Sequence, residues 1–278
     1  MILVAGATGN VGSALADQLT AAGHRIRTLT RNHERTEHPL HDRHIVADLN
    51  KPDTLDGVFE GVTRVFTLAG YDDMPALAAT MRAQGVEHVV LMTGGSAGIQ
   101  RMDNAISRYM TLSERAIRES GMTWTFLRPR AFMSNSLRWL PQLAAGDVVR
   151  VPFSWRRTAF IDPQDIAAVA AEALRNPDLH HGAIHELTGP DALLPEEQVA
   201  ILARVLDRNL RFAPVPNDEA RTEMESRLPR ERVDAYFGFY VDNLIDESPV
   251  HTTVERVTGR PPVTYEAWAL RNAERLTA

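Results

Sequence analysis

Ile2-Leu3-Val4-Ala5-Gly6-Ala7-Thr8-Gly9-Asn10-Val11-Gly12 decides the fold of this chain. The apolar run Ile2 to Ala5 reads as a buried strand. Gly6, Gly9 and Gly12 follow at three-residue spacing, and Ala14, Leu15 and Leu19 carry an amphipathic pattern on from them. The order is strand, glycine turn, helix. A turn without Cβ atoms lets backbone N–H groups and a helix N-terminus come close to a diphosphate. Arg25 to Thr30 supplies a second strand where a βαβ unit requires one, which makes the turn a dinucleotide cradle rather than a bare connection. Gly6, Thr8, Gly9, Asn10, Val11 and Gly12 are its expected cofactor-binding residues.

Composition narrows the chemistry. The 278 residues are 44% hydrophobic and 24% charged, as in a soluble globular protein with a full-sized core. The net charge of −6 argues against a general nucleic-acid partner, which would need a basic surface. No apolar run reaches membrane-spanning length, and the first strand begins at residue 2, so no membrane segment or secretory leader is expected and the cytoplasm is the expected location. The absence of cysteine removes thiol nucleophiles, disulfides and thiolate-bound metal. Lys51 is the single lysine, and it sits beside Pro52 far from the substrate side. Arginine, the other basic residue, forms no Schiff base and is a poor general base. No metal site is expected: His38, His41 and His44 share a loop interrupted by Pro39, and His180, His181 and His185 surround a turn and strand, so both groups read as solvated histidines.

Strand and helix patterns alternate through the first two-thirds of the chain. The expected strands are Ile2–Ala5, Arg25–Thr30, His44–Ala47, Arg64–Leu68, His88–Met92 and Thr123–Arg128. The expected helices are Val11–Ala22, Pro52–Phe59, Met74–Gln84 and Asn104–Glu119. Such alternation implies an α/β fold, a doubly wound parallel Rossmann sheet with helices on both faces. A helix Pro163–Leu174 and a strand Ala183–Leu187 rejoin it. From Pro195 the chain reads mostly helical. The expected layout is a nucleotide-binding core over 1–130, completed by about 158–190, and a smaller, mostly helical C-terminal lobe from 131–157 and 191–278 that binds substrate. The charged run Asp218 to Asp234 reads as a solvated helical face.

Residues at the carboxyl ends of the strands mark the ligand crevice of an open α/β sheet. Thr30-Arg31-Asn32 ends the second strand with a guanidinium where an acidic residue would hold the NAD ribose, and this suits a 2′-phosphate. NADP(H) is therefore expected over NAD(H), unless Arg31 is a plain surface charge. Asp48 and Leu49 would border the adenine, Leu68, Ala69 and Gly70 the middle of the cofactor, and Thr93 and Gly94 the nicotinamide.

Gly6-Ala7-Thr8-Gly9-Asn10-Val11-Gly12 has G-x-x-G-x-x-G spacing. With Arg31, Asp48-Leu49, Ser120 to Pro129, Phe132-Met133 with Asn135, Phe160-Ile161-Asp162, Asp165-Ile166-Ala167, Leu187-Thr188-Gly189-Pro190 and Val257 to Pro261, it resembles the NmrA-like group of atypical short-chain dehydrogenase/reductases. The resemblance spans essentially the whole chain. It implies a Rossmann domain with a small C-terminal lobe, NADP(H) in the cleft, Pro129 beside the cofactor, and the segment around Phe132 over the nicotinamide. Members divide between reductases of quinones, azo dyes or aromatic enones and non-catalytic sensors of the NADP redox state. A reductase or isomerase with one dedicated biosynthetic substrate is a third option.

One departure bears on activity. Short-chain reductases use Tyr-x-x-x-Lys, but here Tyr109 is followed by Ser113, and Met110 stands where active relatives often carry lysine or histidine before the glutamate matching Glu114. Tyr109 is the candidate proton donor, or else a half-buried tyrosine of an amphipathic helix. Phe132, Met133, Asn135, Trp139 and Trp155, with Phe153, are expected to form either a flat pocket for an aromatic or quinonoid substrate or the ordinary core between the two lobes. The expected function is hydride transfer from NADPH to a small aromatic, quinone or carbonyl acceptor; the alternative is a redox sensor acting through protein partners. A homodimer is compatible with either.

Overall fold

The structure is a computed structural model that describes residues 1–31 and 44–277. In chain order its elements are β1 (Ile2–Ala5), α1 (Asn10–Ala21), β2 (Ile26–Thr30), β3 (His44–Val46), β4 (Arg64–Leu68), α2 (Met74–Ala83), β5 (His88–Met92), α3 (Ala105–Glu119) and β6 (Thr123–Pro129). There follow α4 (Leu140–Ala145), β7 (Val148–Pro152), α5 (Pro163–Arg175), α6 (Pro177–His180), β8 (Ala183–Leu187), α7 (Pro195–Val205) and β9 (Arg211–Val215). The last five are α8 (Asn217–Glu225), α9 (Arg230–Tyr240), α10 (Thr253–Thr258), α11 (Tyr265–Arg271) and α12 (Ala273–Thr277). The chain divides into two compact units. The first holds Met1–Gln100, Arg108–Pro129 and Pro163–Glu186; the second holds Arg101–Ser107, Arg130–Asp162 and Leu187–Ala278.

In the first unit seven strands run in the order β3-β2-β1-β4-β5-β6-β8. β1 pairs in parallel with β2 and β4, β2 with β3, β4 with β5, and β5 with β6. The strand order reverses between β1 and β4, the switch point at which doubly wound sheets bind ligands. Alternate side chains point to opposite faces. Leu3, Ala5, Val65, Val89, Leu91 and Phe126 enter one core with Leu77 and Met81 of α2 and Ile117 of α3. On the other face α1 packs along α5, and Gln18 Nε2 donates to the Gln164 carbonyl at 3.2 Å. The doubly wound α/β sheet expected from the alternation is present.

Three local expectations change. Pro52–Phe59 is not a helix: a 3-10 turn covers Pro52–Thr54 only. Gly57 and Gly61 take φ of 67° and 68°, outside the right-handed helical region, so the chain turns while Leu55, Val58 and Phe59 still reach the core. His44 opens β3, where the strand His44–Ala47 was expected, and is not a solvated loop histidine: its Nδ1 is 3.0 Å from Thr28 Oγ1 and its Nε2 3.0 Å from Thr30 Oγ1. His38 and His41 lie outside the described residues, as does Asn32. His180 and His185 are buried rather than solvated, Nδ1 of the first 3.0 Å from Nε2 of the second.

The second unit contains a two-stranded parallel sheet, β7 with β9, the latter within the stretch read as mostly helical from Pro195. Its main core joins Met133, Val149, Leu202, Tyr265 and Trp268, and a smaller one joins Phe153, Val215, Val233 and Phe237. The run Asp218 to Asp234 is split between α8 and α9 and laced by Arg221, which pairs with Asp234 at 2.7 Å.

Candidate functional site

Gly6 leaves β1 with φ 68°, which glycine alone adopts readily, and turns the chain so that the Gly9 N–H donates to its carbonyl at 2.9 Å. α1 starts at Gly9 with no side-chain cap and no acidic residue in its first turn. The Val11 and Gly12 amides have no acceptor within the helix, and the positive end of the helix dipole adds to them. Gly12 is constrained by packing, because a Cβ there would lie 2.2 Å from the Gly6 carbonyl oxygen. Helix and strand thus approach closely, and the first turn of the helix holds no acidic side chain. A diphosphate fits this cradle.

The other expected residues of the first unit gather at the same carboxyl edge. Arg31 is exposed at the end of β2. Asp48 and Leu49 follow β3, where Asp48 Oδ1 accepts from the Asn50 N–H. Leu68, Ala69 and Gly70 end β4. Tyr71, which the sequence reading missed, lies near enough to Arg31 and Asp48 for both charges to act on its phenol, whose pKa is raised chiefly by burial. Its only signal in the sequence was its place just beyond Gly70.

α3 meets this edge through backbone contacts that need small residues. Gly70 has φ 93°, and a Cβ there would stand 3.0 Å from the Tyr109 ring. The Gly70 N–H donates to Ser113 Oγ at 3.1 Å, and the Ser113 hydroxyl donates to the Tyr109 carbonyl at 2.7 Å. Ser113, in the place of the usual lysine, is therefore a buried tie between α3 and β4. Met110 packs its sulfur and methyl on Gly94, and its sulfur accepts from the Ser96 hydroxyl at 3.0 Å. Neither residue offers a proton donor or a base.

Beneath Thr93 lies a charged network that the sequence did not disclose. The Thr93 hydroxyl donates to Glu114 Oε1 at 2.9 Å. Arg128 grips the same carboxylate with both arms, Nε to Oε1 at 2.9 Å and Nη2 to Oε2 at 2.7 Å, and reaches Glu186 at 3.4 Å. It ties β5, α3, β6 and β8 together. Pro129, buried at the end of β6, places its carbonyl 3.8 Å from a Cβ built on Gly94.

In the second unit the expected substrate residues divide. Met133 is buried in the larger core, with Trp139 packed against it, while Phe132 bridges to Ile161 and the Asn135 N–H donates to the Phe132 carbonyl. Phe153 belongs to the smaller core, and Trp155, 50% exposed, meets its ring edge-on. Among the described residues there is no group of three or more histidine, aspartate or glutamate side chains able to hold a metal, and no helix long and apolar enough to cross a membrane.

The comparisons with known proteins agree with this geometry. The model of the NAD(P)H-binding family matches residues 6–177. The (4-alkanoyl-5-oxo-2,5-dihydrofuran-3-yl)methyl phosphate reductase of Streptomyces griseus is 36% identical over 99% of this chain and 98% of its own length. The NAD(P)H azoreductase of Xenophilus azovorans is 32% identical over 98% of each chain. Among solved structures, the NADPH-dependent quinone oxidoreductase of Escherichia coli complexed with NADPH has a TM-score of 0.79 at 19% identity, covering 98% of this chain and 99% of its own. The chain belongs to the NAD(P)H-binding family, the Rossmann-type group to which its NmrA-like motifs point.

Proposed function

We propose that the chain is an NADPH-dependent reductase of small conjugated acceptors: quinones, azo compounds or α,β-unsaturated carbonyl compounds. The observation that carries this reading is end-to-end similarity to two reductases named for different electron-poor acceptors. The glycine turn would hold the diphosphate through the Val11 and Gly12 amides. Arg31 would hold the 2′-phosphate, Asp48 and Leu49 would border the adenine, and Leu68 to Gly70, Thr93, Gly94 and Pro129 would line the path to the nicotinamide. When bound, NADPH supplies a hydride, so the protein has to provide position and charge rather than a nucleophile.

Phe132, Asn135 and Trp155 of the second unit are proposed as substrate residues, and Tyr109 of the first unit as a proton donor. Soluble, cytoplasmic operation on small molecules is part of the same proposal. The experiment is NADPH oxidation monitored with a panel of quinones, azo dyes and alkanoyl butenolides. Turnover of at least one class is expected. Failure with all of them, together with a partner protein whose affinity differs between the NADP⁺ and NADPH forms, would replace the enzyme by a redox sensor. Met110 and Ser113, which leave α3 without the usual basic group, are the observation that favours this second reading.

A further inference from the structure

The amino edge of the first unit's sheet lies at the end opposite the glycine turn, and a cavity of about 290 Å³ opens in it. Ile2 of β1, His24 and Arg25 of the turn into β2, and Thr63 and Arg64 where β4 begins are among the residues that line it. Strand register fixes these positions. Ile2 pairs with both Ile26 and Arg64, so the segments that carry Arg25 and Arg64 flank β1 on its two sides. The Ile2 N–H donates to the Arg25 carbonyl at 3.1 Å, and the Thr63 N–H donates to the Met1 carbonyl at 3.0 Å.

The lining is rich in donors that lack acceptors. Arg64 Nη1 donates to the Leu174 and Arg175 carbonyls at the end of α5, at 2.8 and 3.2 Å, which leaves its Nε and Nη2 unused. Among the described residues the Arg25 guanidinium, the Thr63 hydroxyl and the His24 ring make no hydrogen bond. Arg27, close behind, gives Nη1 to the Val58 and Glu60 carbonyls at 2.7 and 3.1 Å. Carbonyls satisfy these N–H groups without neutralising their charge, and among the described residues none of the three arginines pairs with a carboxylate. Their charges reach one point: burial, then Arg64, Arg25 and Arg27, lower the pKa of the Met1 amino group, and Glu87 opposes them.

Three guanidiniums without counter-charges repel one another, and a bound anion relieves that repulsion. A guanidinium presents its N–H groups as a planar fork that matches two phosphate oxygens, and a hydroxyl adds a single donor. Small-molecule sites begin at roughly 300 Å³, so the space suits a phosphoryl group with at most a small substituent.

We infer that this cavity is a phosphate-binding site, separate from the dinucleotide cradle. It takes inorganic phosphate, or the phosphoryl end of a small phosphate monoester, through Arg25, Arg64 and Thr63.

The test is calorimetric titration of the full chain, without an N-terminal tag, in about 150 mM sodium chloride. Inorganic phosphate and glycerol phosphate are the two probes. At least one binds with a Kd of about 1 mM or tighter. Equal affinities assign the site to the phosphate group alone, and tighter glycerol phosphate assigns it to a monoester. Arg25→Gln changes an exposed side chain that ties no elements together, so the melting temperature stays unchanged while binding weakens roughly tenfold or more. Thr63→Val weakens it several-fold. Saturating NADPH leaves the affinity unaltered, because the cradle lies at the other end of β1. Proton NMR supplies a local readout: phosphate moves the His24 ring C2–H resonance, identified by its loss in His24→Gln. A Kd weaker than about 1 mM for both probes overturns the site. So does wild-type affinity in Arg25→Gln, an unmoved His24 resonance, or displacement of phosphate by NADPH, which would put the anion in the cradle.

Discussion

Arg31 stands exposed at the mouth of the cradle, with Asp48 and Tyr71 close by. Charge-assisted bonds to a 2′-phosphate are worth about 1.5–3 kcal/mol, so Arg31→Ala should weaken NADPH binding roughly 10- to 150-fold and leave NADH within about threefold. Fluorescence titration with both nucleotides checks this, and equal losses would remove Arg31 from the phosphate. Gly12→Ala meets a harder limit, since its methyl would lie 2.2 Å from the Gly6 oxygen. It should cost about 2–4 kcal/mol in stability and abolish nucleotide binding, as thermal melts with and without NADPH would show. Residues of this kind were legible because only one residue type satisfies the backbone. Tyr71 and the tie that Ser113 makes were not, because their meaning depends on partners brought in from distant segments.

Among the elements, β5, α3, β6 and β8 are cross-braced by Glu114 and Arg128, whose side chains are 5% and 11% exposed. Removing one partner strands a buried charge, so Arg128→Met should cost about 3–5 kcal/mol, while the Arg128→Met, Glu114→Met double variant should recover part of that loss. Urea denaturation in a double-mutant cycle measures the coupling; strict additivity would show that the pair contributes nothing as a unit. The strands were readable as elements because parallel strands covered on both faces give short unbroken apolar runs. The segment after Pro52 was misread because its apolar spacing suits a helix while Gly57 and Gly61 turn the backbone away from one. β9 escaped notice because Pro214 lies inside it and its strand partner, β7, precedes it by some sixty residues.

At the scale of the whole molecule, the amino edge of the sheet carries an acid-sensitive cluster remote from the cradle. Burial is the main cause that lowers the pKa of His88 to about 4, and nearby His181, Arg64 and His180 add to this against the weaker pull of Asp178. The unfolded chain binds this proton more readily, so stability is complete above about pH 6.5 and declines as pH falls toward 4, by about 3 kcal/mol for this group. Melting temperatures across that window should fall in the wild type and flatten in His88→Gln; an equal slope in both would assign the loss elsewhere. The division of the chain has a consequence for its biosynthesis. The backbone passes between the two units at residues 100/101, 107/108, 129/130, 162/163 and 186/187. A ribosome therefore releases most of the nucleotide-binding half, then 33 residues of the other (Arg130–Asp162), before the helix and edge strand that complete the first sheet exist. No stop codon can separate the halves, and a nascent chain must hold the first unfinished until Glu186 has emerged and the second until its final third follows.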